Sequence, residues 1–440
     1  MNKRVYIGID TEVTSGTITE IKSVARRVKK IYVGVNGTAK KVKRAYIGIS
    51  NVARQFFGGF ESIQKVSSPT RFVQSSYDDS VNNASLQGAA AGNLANKYAV
   101  FAGSFTQHYV GSAWTYYPSK YVYAVDKDLT VTSASNLGYY SAWLQPANLT
   151  DYIVFGYGYS QTTASTNSSS PNPKSKYAYA YDEDLTRHDL ADLYNSTFSK
   201  NYATAAGNGA YAIYPFWMQA VSSFTDDKLT TYNNNLIQSV ISTDGTYDGR
   251  IGSIDACRFN DYAVFFGTMT DGSSSAQPSK NVYAYDQDLI KHEMSQLSDG
   301  GTFTYPRQCI ATKNYVVLAG GRTSDSGADN LHKYLTTLEV YNKNLIKIST
   351  TASLSYWTEW FGRLAIDDWI IFCGGHYGYT NTGSFTNATA KTIDIFDETL
   401  IRTTDELTNG LYYLEGASVG DYGILVGYGN SDNTVIFQGV

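Results

Sequence analysis

The stretch NVYAYDQDLI, residues 281–290, alternates apolar and polar positions and then ends in an acidic turn and a leucine. Five related stretches occur along the chain: YVYAVDKDLT (121–130), YAYAYDEDLT (177–186), KLTTYNNNLI (228–237), TLEVYNKNLI (337–346) and TIDIFDETLI (392–401). Their closing leucines, at positions 129, 185, 236, 289, 345 and 400, are 56, 51, 53, 56 and 55 residues apart. The alternation predicts a β-strand followed by a turn, repeated about every 54 residues.

A second series of apolar runs has the same period and precedes the first. Seven aromatic residues begin these runs: Tyr98, Tyr152, Tyr211, Tyr262, Tyr315, Trp369 and Tyr422. Each period also contains an early run of small residues and a later polar segment. We label the four predicted strands a, b, c and d, from the centre outward. Four strands in each of seven periods predict an all-β, seven-bladed β-propeller.

The seventh period lacks its d strand, because the sequence ends soon after the c strand NTVIFQGV (433–440). A separate polar segment, ESIQKVSS (61–68), precedes the first a strand and offers the missing outer strand. Pairing of strands from both chain ends would close the ring without open edges. We therefore predict a propeller over residues 58–440 and a separate arm over residues 1–57.

The arm contains its own repeat, KIYVGVNGTAKKVK (30–43) followed by RAYIGISNVARQFF (44–57). Asn36 and Gly37 predict a tight hairpin, and Tyr6, Tyr32 and Tyr46 are at equivalent places. Residues 1–55 carry twelve basic and three acidic residues, a formal charge of +9, whereas the remainder is −13. An isolated β-ribbon is barely stable, so the arm should dock onto another copy or another protein. An ordinary β-hairpin extension of the propeller is one alternative, and nucleic-acid binding is a weaker one.

Two resemblances follow from these motifs. The glycine pairs Gly320–Gly321 and Gly374–Gly375, together with the VYAYDxxL strand, resemble kelch repeats of the galactose-oxidase-type propeller. The YVGVNG-type repeat of the arm resembles N-terminal segments of tail-associated virion proteins from phages and prophages of Gram-positive bacteria. The first resemblance implies the fold and little about function. The second implies a docking module that fastens a variable domain to a particle.

The sequence offers no recognisable catalytic centre, and we expect no enzyme activity, cofactor or metal. Five histidines are scattered over different periods, and three cysteines show neither a disulfide framework nor zinc spacing. Cys257, Cys309 and Cys373 are predicted to be small buried hydrophobes. The acidic pairs of the DxDL segments suggest turns in which the side chains hydrogen-bond to the backbone, rather than calcium binding. The segment MNKRVYIGID lacks a secretory h-region and no window is apolar enough for a membrane span, so we expect cytoplasmic synthesis.

The connections between b and c strands predict a binding surface. They are long and rich in Tyr, Trp, Ser, Asn and Gly, a mixture that suits adaptable recognition and stacking on sugar rings. Together with two d–a connections they provide the candidate ligand-binding residues Tyr109, Trp114, Tyr116, Tyr117, Tyr159, Trp217, Trp357, Trp360, Tyr377, Tyr379, Arg307 and Arg363. The two arginines, with Arg250 as a less certain third, would either hold an anionic group near the central channel or make inter-blade hydrogen bonds.

These observations predict a phage virion protein of the tail or its periphery. The arm would contact other virion proteins, and the propeller, present in several copies, would bind a host-surface glycan or protein. A purely structural or decorating virion protein is the first alternative, and a carbohydrate-active enzyme with a dispersed site is the second.

Overall fold

Every regular element of the described chain is a β-strand. The computed structural model describes residues 31–35, 38–42, 45–49, 52–57, 60, 62–66, 89–110, 113–161, 176–193, 204–215, 228–242, 253–268, 280–298, 302–305, 308–324, 332–356, 358, 360–379, 385–428 and 434–440. Over these residues no helix has the length and apolar character that crossing a membrane requires. The chain divides into two compact units, Met1–Ser62 and Ile63–Val440, which are treated separately below.

The first unit contains two short antiparallel hairpins. They are β1 (Ile31–Val35) with β2 (Thr38–Val42), and β3 (Ala45–Ile49) with β4 (Val52–Phe57). Tyr32 and Tyr46 are each the second residue of the first strand of a hairpin, so the 14-residue repeat is also a structural repeat. Tyr6, Asn36 and Gly37 lie outside the described residues.

The second unit is built from antiparallel sheets. In chain order its strands are β5 (Ile63–Val66), β6 (Ala90–Leu94), β7 (Tyr98–Ala102), β8 (Phe105–Val110), β9 (Ala113–Pro118), β10 (Val122–Asp126), β11 (Val131–Ser133), β12 (Tyr140–Ala142), β13 (Gln145–Asn148), β14 (Ile153–Gly156), β15 (Tyr159–Gln161), β16 (Tyr179–Tyr181), β17 (Arg187–Asp189), β18 (Ala206–Gly207), β19 (Tyr211–Pro215), β20 (Lys228–Asn233), β21 (Gln238–Ser242), β22 (Ser253–Phe259), β23 (Tyr262–Thr268), β24 (Val282–Tyr285), β25 (Lys291–Glu293), β26 (Thr302–Tyr305), β27 (Gln308–Ala311), β28 (Tyr315–Ala319), β29 (Arg322–Ser324), β30 (His332–Tyr334), β31 (Glu339–Asn342), β32 (Lys347–Ile348), β33 (Gly362–Ile366), β34 (Trp369–Cys373), β35 (His376–Tyr379), β36 (Phe385–Thr389), β37 (Thr392–Phe396), β38 (Arg402–Glu406), β39 (Tyr412–Val419), β40 (Tyr422–Tyr428) and β41 (Thr434–Gly439).

Seven four-stranded sheets of this unit are the blades of a β-propeller, as predicted. In order they are β6-β7-β10-β11, β13-β14-β16-β17, β18-β19-β20-β21, β22-β23-β24-β25, β27-β28-β31-β32, β33-β34-β37-β38 and β39-β40-β41-β5, each written from strand a to strand d and numbered blades 1 to 7. The a strand of every blade contacts the a strands of both neighbouring blades, so the seven form a closed ring. The small residues of the a strands fit this crowded centre.

The ring is closed by strands from distant parts of the chain. In blade 7, β5 pairs antiparallel with β41 as the outermost strand, with Lys65 opposite Phe437 and Ile63 opposite Gly439. The predicted closing strand is therefore confirmed, although it covers only four residues of the predicted segment. The borrowed strand gives blade 7 the same four strands as the other blades.

The apolar core lies between blades. One cluster joins Val100 and Ala124 of blade 1 to Ile153 and Tyr181 of blade 2. Another cluster joins Phe101 of blade 1 to residues of blade 7 such as Val419, Ile424 and Ile436. Since each blade buries its side chains against two neighbours, no blade has a core of its own.

A repeated hydrogen bond also ties outer strands to the preceding blade. The donor is a long polar side chain of strand d, and the acceptor is a backbone carbonyl at or just after the end of the preceding d strand. The pairs are Arg187 Nη1 with Asn136 O, Gln238 Nε2 with Asp192 O, Lys347 Nζ with Gln296 O, Arg402 Nη1 with Ser353 O, and Lys65 Nζ with Glu406 O. Lys65 of the borrowed strand therefore makes the contact that the d strands of blades 2, 3, 5 and 6 make.

The repeated DxDL segment forms a turn between strands c and d. In blade 4, Asp286 Oδ1 accepts hydrogen bonds from the backbone N–H groups of Asp288 and Ile290, at 3.0 and 2.9 Å. The same two bonds recur on Asp126, Asp182, Asn233, Asn342 and Asp397. The expected hydrogen bonds from the turn backbone to an Asp or Asn side chain are thus present in six turns of the described chain.

The leucine of each turn has an unusual backbone conformation. Its φ is positive at all six positions: Leu129 (60°), Leu185 (59°), Leu236 (59°), Leu289 (61°), Leu345 (62°) and Leu400 (64°). This conformation costs an L-residue about 1–2 kcal/mol, whereas burial of a leucine side chain contributes about 1.5–3 kcal/mol. Because each leucine packs in or against an inter-blade cluster, burial outweighs the backbone cost.

Replacement of two of these leucines by glycine tests that balance. Leu185 is buried and Leu289 is half-buried, but their φ values differ by only a few degrees, so relief of backbone strain is the same at both sites. We expect Leu185→Gly to lower the free energy of unfolding more than Leu289→Gly, by about 1 kcal/mol. Denaturant unfolding of both variants measures the difference, and equal or reversed losses would contradict it.

Substitution within β5 tests the closure of the ring. The side chain of Ile63 is buried, with 9% exposure. Ile63→Asp would bury a carboxylate at this position of β5 and should lower the free energy of unfolding by about 2–4 kcal/mol. Gln64→Asp, on the exposed side of the same strand, is the matched control and should change stability by less than about 0.5 kcal/mol. Thermal unfolding of the full chain distinguishes the two, and similar midpoints would show that β5 is dispensable.

Candidate functional site

The connections of the propeller separate into two faces. Because neighbouring strands run antiparallel, b–c and d–a connections emerge at one end of each blade and a–b and c–d turns at the other. Two strand pairings show this directly: β12, from a d–a connection, pairs with β15 from a b–c connection, and β26 pairs with β29 in the same way. We call the first end the loop face and the second the turn face.

Accessory strands extend only the loop face among the described residues. The hairpins β8-β9 and β35-β36 lie in b–c connections of blades 1 and 6, and β29-β30 lies in that of blade 5. The turn face, by contrast, holds short turns that bond to one another. Asn208 Nδ2 donates to Asp286 O of the next blade, and Lys313 pairs with both Asp367 and Asp368.

Most predicted aromatic candidates belong to the accessory strands. Tyr109 is the register partner of Trp114 in the hairpin β8-β9, which also contains Tyr116 and Tyr117. Tyr159 begins β15, and Tyr377 and Tyr379 lie in β35. The structure thus brings these seven residues to the loop face. Trp217, Trp357 and Arg307 lie outside the described residues.

Trp360 is packed against a neighbouring blade. Its ring stacks on Tyr413 with the centroids 4.9 Å apart, and the Tyr413 N–H donates to Trp360 O at 3.0 Å. Both residues have positive φ, 53° and 51°, and each immediately precedes a buried core residue, Phe361 or Leu414. Tyr413 was not among the predicted residues. Its position two residues before Glu415, equivalent to that of Trp360 two residues before Gly362, is the signal that would have identified it.

Arg363 forms an ion pair with Asp255 at the centre of the ring. Its Nη1 lies 2.7 Å from Asp255 Oδ2 and its Nη2 lies 3.3 Å from Asp255 Oδ1. The pair joins β33 of blade 6 to β22 of blade 4, across blade 5. Burial lowers the pKa of Arg363, but the charges of Asp255 and Glu415 more than offset this and raise it above its usual value. Of the two interpretations from sequence, this geometry matches the inter-blade contact.

The sequence suggests that Arg307 and Arg363 begin equivalent a strands, but the strand registers show that the two positions differ by one residue. Gly362 pairs with the last residue of β34, and Gln308 pairs with the last residue of β28. The position of Arg363 is therefore taken by Cys309 in blade 5, and Arg307 precedes the strand. Arg250 lies outside the described residues. Anion binding by Arg307 stays a prediction.

Strand register reveals a layer at the loop-face end of the a strands that the sequence analysis missed. In six blades, one a-strand residue pairs with the b-strand residue four positions after the aromatic residue that begins each apolar run. These a-strand residues are, in blade order, Ala90, Gln145, Asp255, Gln308, Gly362 and Glu415. We call these six residues and Arg363 the inner layer. The detectable signal was a polar residue within the small-residue runs, as in SIDACRF and YYLEGASV.

Glu415 is an acid of the inner layer whose pKa is strongly shifted. Burial raises the pKa of its carboxyl from the ordinary value of 4.5 to about 7, although Arg363 acts in the opposite direction. Asp255 adds to the rise because its charge repels a second carboxylate. The inner layer therefore changes charge near neutral pH.

Two of the five histidines, His188 and His292, lie at the turn face, whereas His108, His332 and His376 lie in the accessory strands β8, β30 and β35 of the loop face. His188 and His292 each lie 2.7 Å from the first aspartate of their own turn, Asp182 and Asp286. Their side chains are 37% and 38% exposed. Over the described residues no group of three or more His, Cys, Asp or Glu is arranged to hold a metal ion.

The cysteines are all free thiols. Cys309 and Cys373 are buried, as predicted, and Cys257 is half-buried. Burial raises the pKa of Cys373 and Cys309 above the ordinary thiol value. Neither thiol therefore has the ionised character that nucleophilic chemistry requires.

Comparisons with known proteins add little beyond the fold. No protein-family model matches the chain, and no curated protein matches it. A solved structure described as "Structure of YjhT" is similar over 73% of this chain and 98% of its own, with 12% sequence identity and a TM-score of 0.47. That likeness is too distant to support any inference about activity.

The raised pKa of Glu415 predicts a pH-dependent stability. A carboxyl that holds its proton more tightly when folded makes folding less favourable as the pH rises from about 4.5 to about 7. We expect Glu415→Gln, which cannot ionise, to show a smaller loss of thermal stability between pH 5 and pH 8 and to unfold at a higher temperature than wild type at pH 8. Glu398→Gln, on an exposed turn, is the control. Identical pH profiles for Glu415→Gln and wild type would contradict the prediction.

Proposed function

We propose that this protein is a non-catalytic virion protein of a phage tail or its periphery, whose loop face binds a host-surface glycan. The observation that carries the proposal is the asymmetry of the propeller. Accessory strands extend the loop face, where aromatic-rich connections meet, while the described turns of the opposite face bond to one another. A rigid ring that presents variable loops on one side suits recognition, because loops vary without disturbing the core.

The chemistry of the loops favours a carbohydrate partner. Aromatic side chains offer flat apolar surfaces for sugar rings, and Ser, Asn and Gly offer adaptable hydrogen bonds. A single site of this kind binds weakly. Several copies on one particle would raise the overall affinity through avidity.

The arm supports the virion assignment. Its hairpins β1-β2 and β3-β4 repeat the motif that resembles tail-associated proteins, and isolated two-stranded ribbons are marginally stable. Attachment to other virion proteins would supply the missing stabilisation. The strong positive charge of residues 1–55 gives this contact an electrostatic component that salt should weaken.

We also infer that the blades are of the kelch type. The glycine pairs Gly320–Gly321 and Gly374–Gly375 all have positive φ, from 66° to 106°, so glycine is required there for conformational reasons. A Cβ on Gly320 would approach Phe361 to 2.4 Å. The motif is thus supported in blades 5 and 6, and only there does the sequence hold the glycine pair at the end of strand b.

Binding of the full chain to bacterial cells tests the proposed function. A fluorescent-protein fusion should bind Gram-positive host cells, and Trp114→Ala combined with Trp217→Ala should reduce binding at least tenfold. Ile237→Ser combined with Ile290→Ser, at exposed turn-face positions, is the matched control and should bind as wild type does.

The alternatives give different results. Absence of cell binding, with particles that assemble poorly without the protein, would favour a structural virion component. Release of free sugars from host cell-wall material would favour an enzyme.

A further inference from the structure

The fold brings together two cysteines that lie about one repeat apart in the sequence. Cys257 is in β22, the a strand of blade 4, and Cys309 is in β27, the a strand of blade 5. The two blades are neighbours in the ring, and Cα atoms of the two strands come within 8 Å of each other. Their spacing in the sequence does not reveal this, because it does not show which a-strand side chains face each other.

Strand register places Cys309 at a height between Asp255 and Cys257. Asp255 and Cys257 pair with the residues four and two positions after Tyr262, whereas Cys309 pairs with the residue three positions after the equivalent Tyr315. Because Asp255 and Cys257 are two residues apart in one strand, their side chains point to the same side of the sheet. Cys257 packs against the inter-blade cluster that contains Cys309, so this side of β22 faces blade 5.

Hydrogen bonds join the three side chains. The Asp255 carboxylate accepts the backbone N–H of Cys309 at 2.6 Å, and it also accepts the Cys309 thiol. The Cys309 thiol is in hydrogen-bond contact with the Cys257 thiol as well. Cys309 is fully buried, with 0% exposure, whereas Cys257 is half-buried. The pair therefore consists of one enclosed thiol and one thiol that a small reagent can reach.

We propose that Cys257 and Cys309 form a reversible oxidation site, at which a peroxide joins blade 4 to blade 5 through a disulfide. This inference is independent of the proposed function. Sulfur atoms that are already in hydrogen-bond contact need only a short approach to reach the S–S bond length of about 2.0 Å. Cys373, the third cysteine, lies in strand b of blade 6 and provides an internal comparison.

With hydrogen peroxide the reaction takes two steps. In the first, Cys257 Sγ attacks a peroxide oxygen, the O–O bond breaks, and the thiol proton leaves with hydroxide as water, so that Cys257 becomes a sulfenic acid. In the second, Cys309 Sγ attacks the Cys257 sulfur, the S–O bond breaks, and hydroxide leaves with the Cys309 proton as a second water. The two thiols lose two electrons in total, and these reduce the peroxide to water.

Asp255 is positioned to assist the second step. Burial raises the pKa of the Cys309 thiol, so this thiol needs a proton acceptor before it can attack. The Asp255 carboxylate already accepts its S–H, and burial raises the pKa of that carboxyl, which makes it a better acceptor. After oxidation Asp255 loses the thiol donor but keeps the N–H groups of Ala256 and Cys309 and the ion pair with Arg363. The centre of the ring therefore tolerates the disulfide.

Treatment of the reduced full chain with hydrogen peroxide tests the site. We expect peptide mapping under non-reducing conditions to show Cys257 linked to Cys309, and the thiols that react after unfolding to fall from three to one. The thermal midpoint should rise by several degrees, because a disulfide between two blades restricts the unfolded chain. Dithiothreitol should reverse both the linkage and the shift.

Three variants make the result specific. Cys257→Ala and Cys309→Ala should each lose the linked peptide and the peroxide-induced rise in midpoint, whereas Cys373→Ala, the matched control, should keep both. Methionine oxidation is common to all variants and is not reversed by dithiothreitol, so it cannot imitate the reversible shift. The proposal is overturned if folded wild type yields no linked peptide, if Cys257 is recovered only as sulfinic acid, or if Cys373 takes part in the linkage.

Discussion

The pairing of β5 with β41 is the interaction on which the ring depends. Each blade buries its apolar side chains against its two neighbours, as in the cluster that joins blade 1 to blade 7. A gap in the ring would therefore expose two apolar blade surfaces at once. The borrowed strand completes blade 7, and Lys65 from that strand also bonds to Glu406 of blade 6. Residues nearly 380 positions apart in the sequence thus hold the propeller closed.

The two faces of the propeller differ in the length of their connections and in the contacts that those connections make. On the turn face, six turns use the same Asp or Asn bonds and the same left-handed leucine, and the side chains bond from blade to blade. These contacts fix the spacing of the blades. The connections of the loop face also bond from blade to blade, but they are longer and carry the accessory strands. Such a division of labour permits recognition surfaces to vary on a constant core.

The centre of the ring is ordered by a buried ion pair. The Asp255–Arg363 pair spans three consecutive blades, because Cys309 of blade 5 donates its backbone N–H to the same carboxylate. A buried ion pair contributes little to stability unless its remaining hydrogen bonds are satisfied, and here those of Asp255 are. The pair holds the guanidinium in one orientation.

The sequence alone determined the number of blades, the position of each turn and the strand that closes the ring. It could do so because every blade repeats the same buried positions, and a repeated pattern reveals itself by its spacing, as the six DxDL-type segments show. It also indicated which connections carry aromatic residues. It could not determine how Trp360 meets Tyr413, that Arg363 pairs with Asp255 rather than a ligand, or that Gln308 and Glu415 share a layer. These contacts join residues of different blades, and their partners are set by strand register and by closure of the ring, which no local spacing encodes.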